Sequence, residues 1–188
     1  AAPDKTISFI LELFEIATTS YQNSRLNSDY VECSEIEIIL PNGTNIKQVA
    51  SDRLWKMHRD THVGSHLLVS ILMALERWLY YAFASVSEKA ANGVCLRLLS
   101  QSHSVAITSV VTSMVLAYPQ KLFHTACILI QTKEILQFDL HRLSQESFVN
   151  AFRGALPRNK IYDDERIKTN NLAFRKKRLE EVIFEYQF

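Results

Sequence analysis

Glycine is scarce here: four copies in 188 residues, at 43, 64, 93 and 154. Neither G-x-x-x-x-G-K-S/T nor G-x-G-x-x-G can be written with that spacing, and G-x-S-x-G is also missing. Each of these motifs needs close-set glycines to bring backbone against a phosphate or to expose a serine on a sharp turn. Phosphate-loop nucleotide binding and ordinary serine-hydrolase chemistry are therefore excluded from this segment, though not from a longer protein that carries it. Cysteine is equally sparse. Cys33, Cys95 and Cys127 are odd in number, far apart and without a C-x-x-C pair, which fits isolated reduced thiols in the cytosol and not a disulfide framework.

Charge of one sign is not in excess either: 21 Lys and Arg face 20 Asp and Glu, so no field over the whole molecule draws in nucleic acid, anionic lipid or acidic substrate. Crossing a bilayer takes roughly 20 uninterrupted apolar residues. The stretch 67–84 carries Glu76 and Arg77 at its middle, and 105–117 is short and holds Thr108, Ser109, Thr112 and Ser113. Both read as buried core helices, with no membrane partner expected. The opening Ala1-Ala2-Pro3-Asp4 has neither Met nor a signal-type stretch, and with this cysteine usage it points to an end made by cutting a longer protein.

What remains is an ordinary globular composition, 47% hydrophobic and 22% charged, able to bury a core without staples. Polar residues every three or four positions over 4–21 predict an amphipathic helix with a wide apolar face. After a Ser- and Asn-rich loop, 31–40 alternates, Pro41-Asn42-Gly43 turns, and 44–49 returns as a second strand. A polar stretch containing Trp55 leads to a helix over 64–84. Leu68, Leu72, Leu75, Leu79 and Phe83 line one of its faces and Ile71, Trp78 and Ala82 another, so it is expected to make contacts on two sides. Ser87 is the expected cap of 88–100, and Ser102 or Ser104 that of the next helix, which Pro119 closes. A further helix is expected to start at Pro119, with 133–143 continuing it or following a kink.

The fold expected is mainly α: stacked antiparallel helical hairpins, as a bundle or short α-solenoid, with one small β-hairpin near 31–49. The domain reading is a helical unit over 1–143, a connecting loop over 144–162 with Gly154 and Pro157, and a charged amphipathic helix over 163–188. That last helix has Asn170-Asn171 as a point of interruption and an apolar stripe of Leu179, Val182, Ile183 and Tyr186 that needs something to pack on.

Candidate chemistry is thin. His58 and His62, at i and i+4, have the spacing of a zinc pair on a helix, with His66 beyond. The glutamate that follows the first histidine of a metalloprotease helix is absent, however, and Gly64 breaks the helix before His66, so solvated or capping histidines are the expectation. His124 and Cys127 lie one turn apart among apolar neighbours, as a buried inert cysteine would. Glu35 and Glu37 share one side of a strand, as the wet face of a hairpin does. Arg175-Lys176-Lys177-Arg178 beside Phe174 could meet phosphates while an aromatic stacks, but Glu180 and Glu181 four residues beyond Lys176 and Lys177 mark a self-paired exposed helix. No catalytic, cofactor-binding or metal-ligating residue is assigned.

Residues 52–81, DRLWKMHRDTHVGSHLLVSILMALERWLYY, and 98–119, LLSQSHSVAITSVVTSMVLAYP, resemble a helical region of very large bacterial ATP-binding proteins of the STAND type, in which a P-loop NTPase precedes long helical repeats. The likeness covers about 52–143 and is carried by LMALERWL (72–79) and SHSVAITSVV (102–111), which are packing motifs. It implies a cytoplasmic sensor or scaffold segment that holds the NTPase inactive or senses a partner. The family's nucleotide-binding residues have no counterpart here, and the hairpin has no place in its pattern. The expectation is thus a non-catalytic interaction segment whose partners are other domains of its parent, another protein, or a second copy of itself. Two other classes compete with it: a small metal-dependent enzyme on His58 and His62, and a nucleic-acid-binding module on 174–178.

Overall fold

The computed structural model describes residues 2–24, 33–59, 65–153 and 168–187; within them the chain is mainly α-helical with one two-stranded antiparallel sheet. Helix α1 (Ala2–Gln22) buries Ile7, Ile10, Leu11 and Phe14, as its periodicity requires. Strands β1 (Ser34–Ile39) and β2 (Asn45–Ala50) form the hairpin, with Ile38 opposite Ile46 and Ile36 opposite Gln48. Gly43 takes a φ of 81° in the turn, a conformation that costs a residue with a Cβ but not glycine. The hairpin is fastened to the helices where the Val49 amide donates to the His103 carbonyl at 2.9 Å.

The polar stretch after the hairpin is part of the core. Helix α2 (Asp52–Trp55) is capped by Ser51, whose Oγ accepts from the Leu54 amide at 3.2 Å, and a 3-10 turn spans Met57–Arg59. Trp55, Lys56, His58 and Arg59 are all buried, and Trp55 stacks on Phe138 at 5.7 Å. Helices α3 (His66–Ser85), α4 (Glu88–Gln101) and α5 (Val105–Ala117) follow. Ser87 and Ser104 cap the last two, accepting from the Ala90 and Ala106 amides. Every residue of α5 from Val105 to Leu116 is buried. A helix apolar nearly all round belongs at a centre, and α5 packs against α1, α2, α3, α4 and the hairpin.

Three expectations need correction. Pro119 does not open a helix: residues 119–122 form a turn and α6 begins at Phe123 (Phe123–Ile130). Helix α7 (Lys133–Arg153) is separate from α6, broken at Gln131 and Thr132, and it runs on through 144–153, where a loop was expected. Residues 154–162 lie outside the described residues. Helix α7 continues through 144–153 because of its inward face: Asp139, Arg142 and Glu146, one helical turn apart, form a ladder of ion pairs that favours continued helix.

The third correction concerns 163–188, of which 163–167 and 188 lie outside the described residues. In place of one long helix, a 3-10 turn (Ala173–Lys176) and an extended step at Lys177 precede helix α8 (Leu179–Gln187). Backbone groups here bond outward. The carbonyls of Arg175 and Lys177 accept from Arg142 Nη1 and Nη2 at 3.2 and 2.7 Å, and the Leu179 amide donates to Asp139 Oδ2 at 2.7 Å. Those bonds replace helical ones, and the Asp139 carboxylate suits the positive end of α8. Phe174, Leu179 and Val182 join the same core as α1 and the hairpin, so the apolar stripe of this tail is spent inside the molecule.

Candidate functional site

Under α5 the chain has collected a sealed group of charges. Arg59, Arg142 and Arg175 face Glu76, Asp139 and Glu146, with His58 among them; all but Glu146 are at most 4% exposed. Three cations against three carboxylates leave the cluster neutral, a condition for burying charge at tolerable cost. The members come from four parts of the chain: the 3-10 turn supplies His58 and Arg59, α3 Glu76, α7 the acid-arginine-acid ladder, and the C-terminal segment Arg175. Helix α5 contributes Ser109 and Ser113, one turn apart on the same side.

The hydrogen bonds form one continuous path. Ser113 Oγ donates to Glu76 Oε1 at 2.5 Å and accepts from Arg59 Nη2 at 3.1 Å. The other Glu76 oxygen is in direct contact with Arg175 Nη2, while Arg175 Nη1 donates to Asn170 Oδ1 at 3.0 Å. Arg142 uses all three nitrogens, donating from Nε to Asp139 at 2.8 Å, from Nη1 to Glu146 at 3.0 Å, and to the two carbonyls already named. Glu146 Oε1 stands 3.6 Å from Arg59 Nε, an ion pair without a hydrogen bond.

His58 lies at the end of this path. Its Nε2 accepts from Arg59 Nε at 2.8 Å, so the ring proton sits on Nδ1, 3.0 Å from Ser109 Oγ. Ser109 Oγ gives its own proton to the Ala106 carbonyl at 2.8 Å. A Ser109, His58 and Glu76 grouping, with His58 Nε2 3.9 Å from the carboxylate, therefore has its protons placed against nucleophilic catalysis. The imidazole nitrogen facing the serine carries a hydrogen and cannot act as its base.

Burial drives the His58 pKa well below its ordinary value, and the charges of Arg59, Arg175 and Arg142 push the same way, against a hydrogen bond to the Trp55 carbonyl. Burial likewise lowers Arg59, to about 10, with Glu146 opposing. For Arg142 burial works against the charge, but Asp139 and Glu146 outweigh it and raise the pKa. Burial and Arg59 pull Arg175 down, while the Glu76 carboxylate touching it holds the proton on, as is usual for a paired guanidinium.

The His58 shift fixes a pH dependence. The unfolded chain takes up the proton first, near the ordinary imidazole value of 6.5, so stability is intact above that pH and is lost as pH falls from there toward the lower folded-state pKa. The slope expected from one proton is at most about 1.4 kcal/mol per pH unit. Thermal unfolding followed from pH 8 to 5.5 checks this, and a flat profile, or one that rises on acidification, contradicts it.

The other residues singled out in the sequence are scattered. His62 lies outside the described residues, and both ring nitrogens of His58 are engaged, by Arg59 and Ser109; among the described residues no group of three or more His, Cys, Asp or Glu could hold an ion. His124 is exposed and Cys127 half-buried on α6, with all three cysteines free. Glu35 and Glu37 are exposed on the hairpin beside Lys47, at 2.6 and 3.9 Å. The basic run is dispersed: Arg175 is buried on Glu76, Lys177 Nζ pairs with Glu185 at 2.6 Å, and the Arg178 amide donates to Glu181 at 3.0 Å.

A second feature lies on the outer side of the same helix. Leu67, Trp78 and Tyr81 of α3 are 65%, 42% and 62% exposed, although α3 also supplies the buried Leu72, Leu75, Leu79 and Phe83 to the core. Among the described residues α3 is the one helix long and apolar enough to cross a membrane by length and composition, with a mean hydropathy of 1.4 and a third of that stretch buried. Its flank and residues 168–174 enclose an open cleft of about 520 Å³, lined by Met73, Arg77, Tyr81, Lys168 and Phe174 among others. No protein-family profile and no curated protein sequence matches this chain.

Proposed function

We propose that this chain is a non-catalytic interaction and regulatory segment of a larger cytoplasmic protein, meeting its partner through the outward face of α3. The observation that carries this reading is the exposure of Trp78 and Tyr81 one turn apart on α3, with Leu67 on the same side about three turns before them, since exposed apolar side chains gathered on one face mark contact surfaces. The partner is a protein surface, either another domain of the same polypeptide or a separate chain. A lipid bilayer fits less well, because Glu76 at the middle of α3 is bound to Arg175 inside the fold. Nucleic acid also fits less well, because the basic run pairs internally. The resemblance of 52–143 to the helical region of STAND-type bacterial ATP-binding proteins supports a sensor or scaffold role beside an NTPase.

The test is direct. The purified chain should bind an apolar-surface dye and self-associate in size-exclusion chromatography with light scattering. Leu67→Glu with Tyr81→Glu should abolish both while shifting stability by no more than about 0.5 kcal/mol for each exposed site. A strictly monomeric wild-type chain that binds no dye would sink this reading.

A further inference from the structure

The charge cluster does more than hold helices together, because of where its weakest member sits. Arg142 is satisfied at every nitrogen, whereas Arg175 Nε is buried without a hydrogen-bond partner among the described residues. Arg175 is also the cluster's one charge from the C-terminal segment, of which 168–175 lies along α3, with Phe174 stacked on Tyr80 at 5.1 Å and Arg175 on Glu76, while α8 packs on α5, α6 and α7. If the cluster acquires an extra positive charge, expelling Arg175 to water is the least costly remedy, and the segment leaves with it.

His58 is the group positioned to supply that charge. The groups that face it are Arg59 of its own turn, Glu76 of α3, Ser109 of α5, Arg142 of α7 and Arg175 of the C-terminal segment, with Glu146 and Asp139 behind them as partners of Arg59 and Arg142. A proton on Nε2 would set two donors against each other at the 2.8 Å contact with Arg59. It would also direct an imidazolium at Glu76 Oε1, in competition with Arg175 for the same carboxylate. Four cations would then share three carboxylates.

We propose that residues 168–177 are an acid-released clasp over the flank of α3, hinged on the core-bound α8, latched by Arg175 on Glu76 and unlatched when His58 takes up a proton. Release bares Tyr80 and the apolar wall now covered by Phe174, enlarging the face that the proposed function assigns to a partner. The clasp thereby regulates that same face. It rests on the α3 reading only for its consequence; the opening itself is read without any partner, so either can fail alone.

Amide hydrogen exchange on the intact chain from pH 7.5 to 5.5, corrected for intrinsic rates, tests it. The Leu172, Arg175 and Lys177 amides, which bond to Thr169, Leu172 and Phe174 carbonyls, should exchange faster than α5 amides at every pH. As the pH falls their open fraction should grow, by at most about tenfold per pH unit, the dependence of a one-proton event. His58→Gln, which keeps an acceptor but takes no proton, should flatten that dependence. Two results overturn the proposal: clasp and α5 amides exchanging at one shared rate at each pH, which means global unfolding, or equal acid sensitivity in His58→Gln. If that variant does not fold, the wild-type comparison still decides, because clasp protection that is indifferent to pH overturns the proposal as well.

Discussion

Glu76→Gln should destabilise the protein by about 3–5 kcal/mol, the range for removing one partner of a buried ion pair. The substitution keeps the shape and one acceptor, so little of the loss is packing. The cost comes from stranding charge: Arg59, Arg142 and Arg175 would face two carboxylates in a space where Glu76 and Arg175 side chains are 3% and 2% exposed, and the donors of Ser113 and Arg175 would compete for one oxygen. Urea unfolding of the variant against wild type measures it. The companion double substitution, Glu76→Met with Arg175→Met, removes both charges and should cost much less than Glu76→Gln alone, since apolar replacement of a whole buried pair is often neutral. A loss below about 1 kcal/mol for the single variant, or a double variant worse than it, would mean that the cluster is hydrated and screened.

The second large effect falls on Arg142. Arg142→Lys preserves the charge but loses the planar fork that reaches Asp139, Glu146 and the carbonyls of Arg175 and Lys177 together. An ammonium has three donors on a single atom and cannot span those positions, so at least two acceptors are left buried without partners, each at roughly 1–3 kcal/mol. The loss should show as a lower urea midpoint and as faster amide exchange of Leu179, whose bond to Asp139 depends on Arg142 holding that carboxylate. Wild-type stability in the lysine variant would show that charge alone, not fork geometry, holds the C-terminal segment.

Much of this architecture was legible beforehand. The 3.6-residue periodicity of α1, α3 and α4, the capping serines Ser87 and Ser104, and the glycine at the hairpin turn are local devices, decided by a few neighbouring side chains and their own backbone. The boundaries that failed lie where backbone bonds go to remote partners. The extended step before α8 exists because Arg142, 33 and 35 residues away in sequence, takes the carbonyls that helix would have used.

The cluster was written in the sequence without being readable there. Glu76 in the middle of an apolar helix weighed only against a membrane span, Asp139 and Arg142 went unremarked within 133–143, and Glu146 fell where a connecting loop was expected. His58 was singled out for its spacing to His62, whereas its partners are Arg59, Ser109 and Glu76.

Composition and periodicity by themselves determined that this chain builds stacked helices, with a small hairpin, and carries no phosphate loop. Which charges would be taken out of water, and which side of α3 would be left facing it, only the tertiary structure decided. Periodicity reports the angle at which a side chain leaves its helix, but burial depends on what arrives from residues up to 99 positions away, as Arg175 does at Glu76. A charge alone in a sequence says nothing about the opposite charge that will make its burial tolerable.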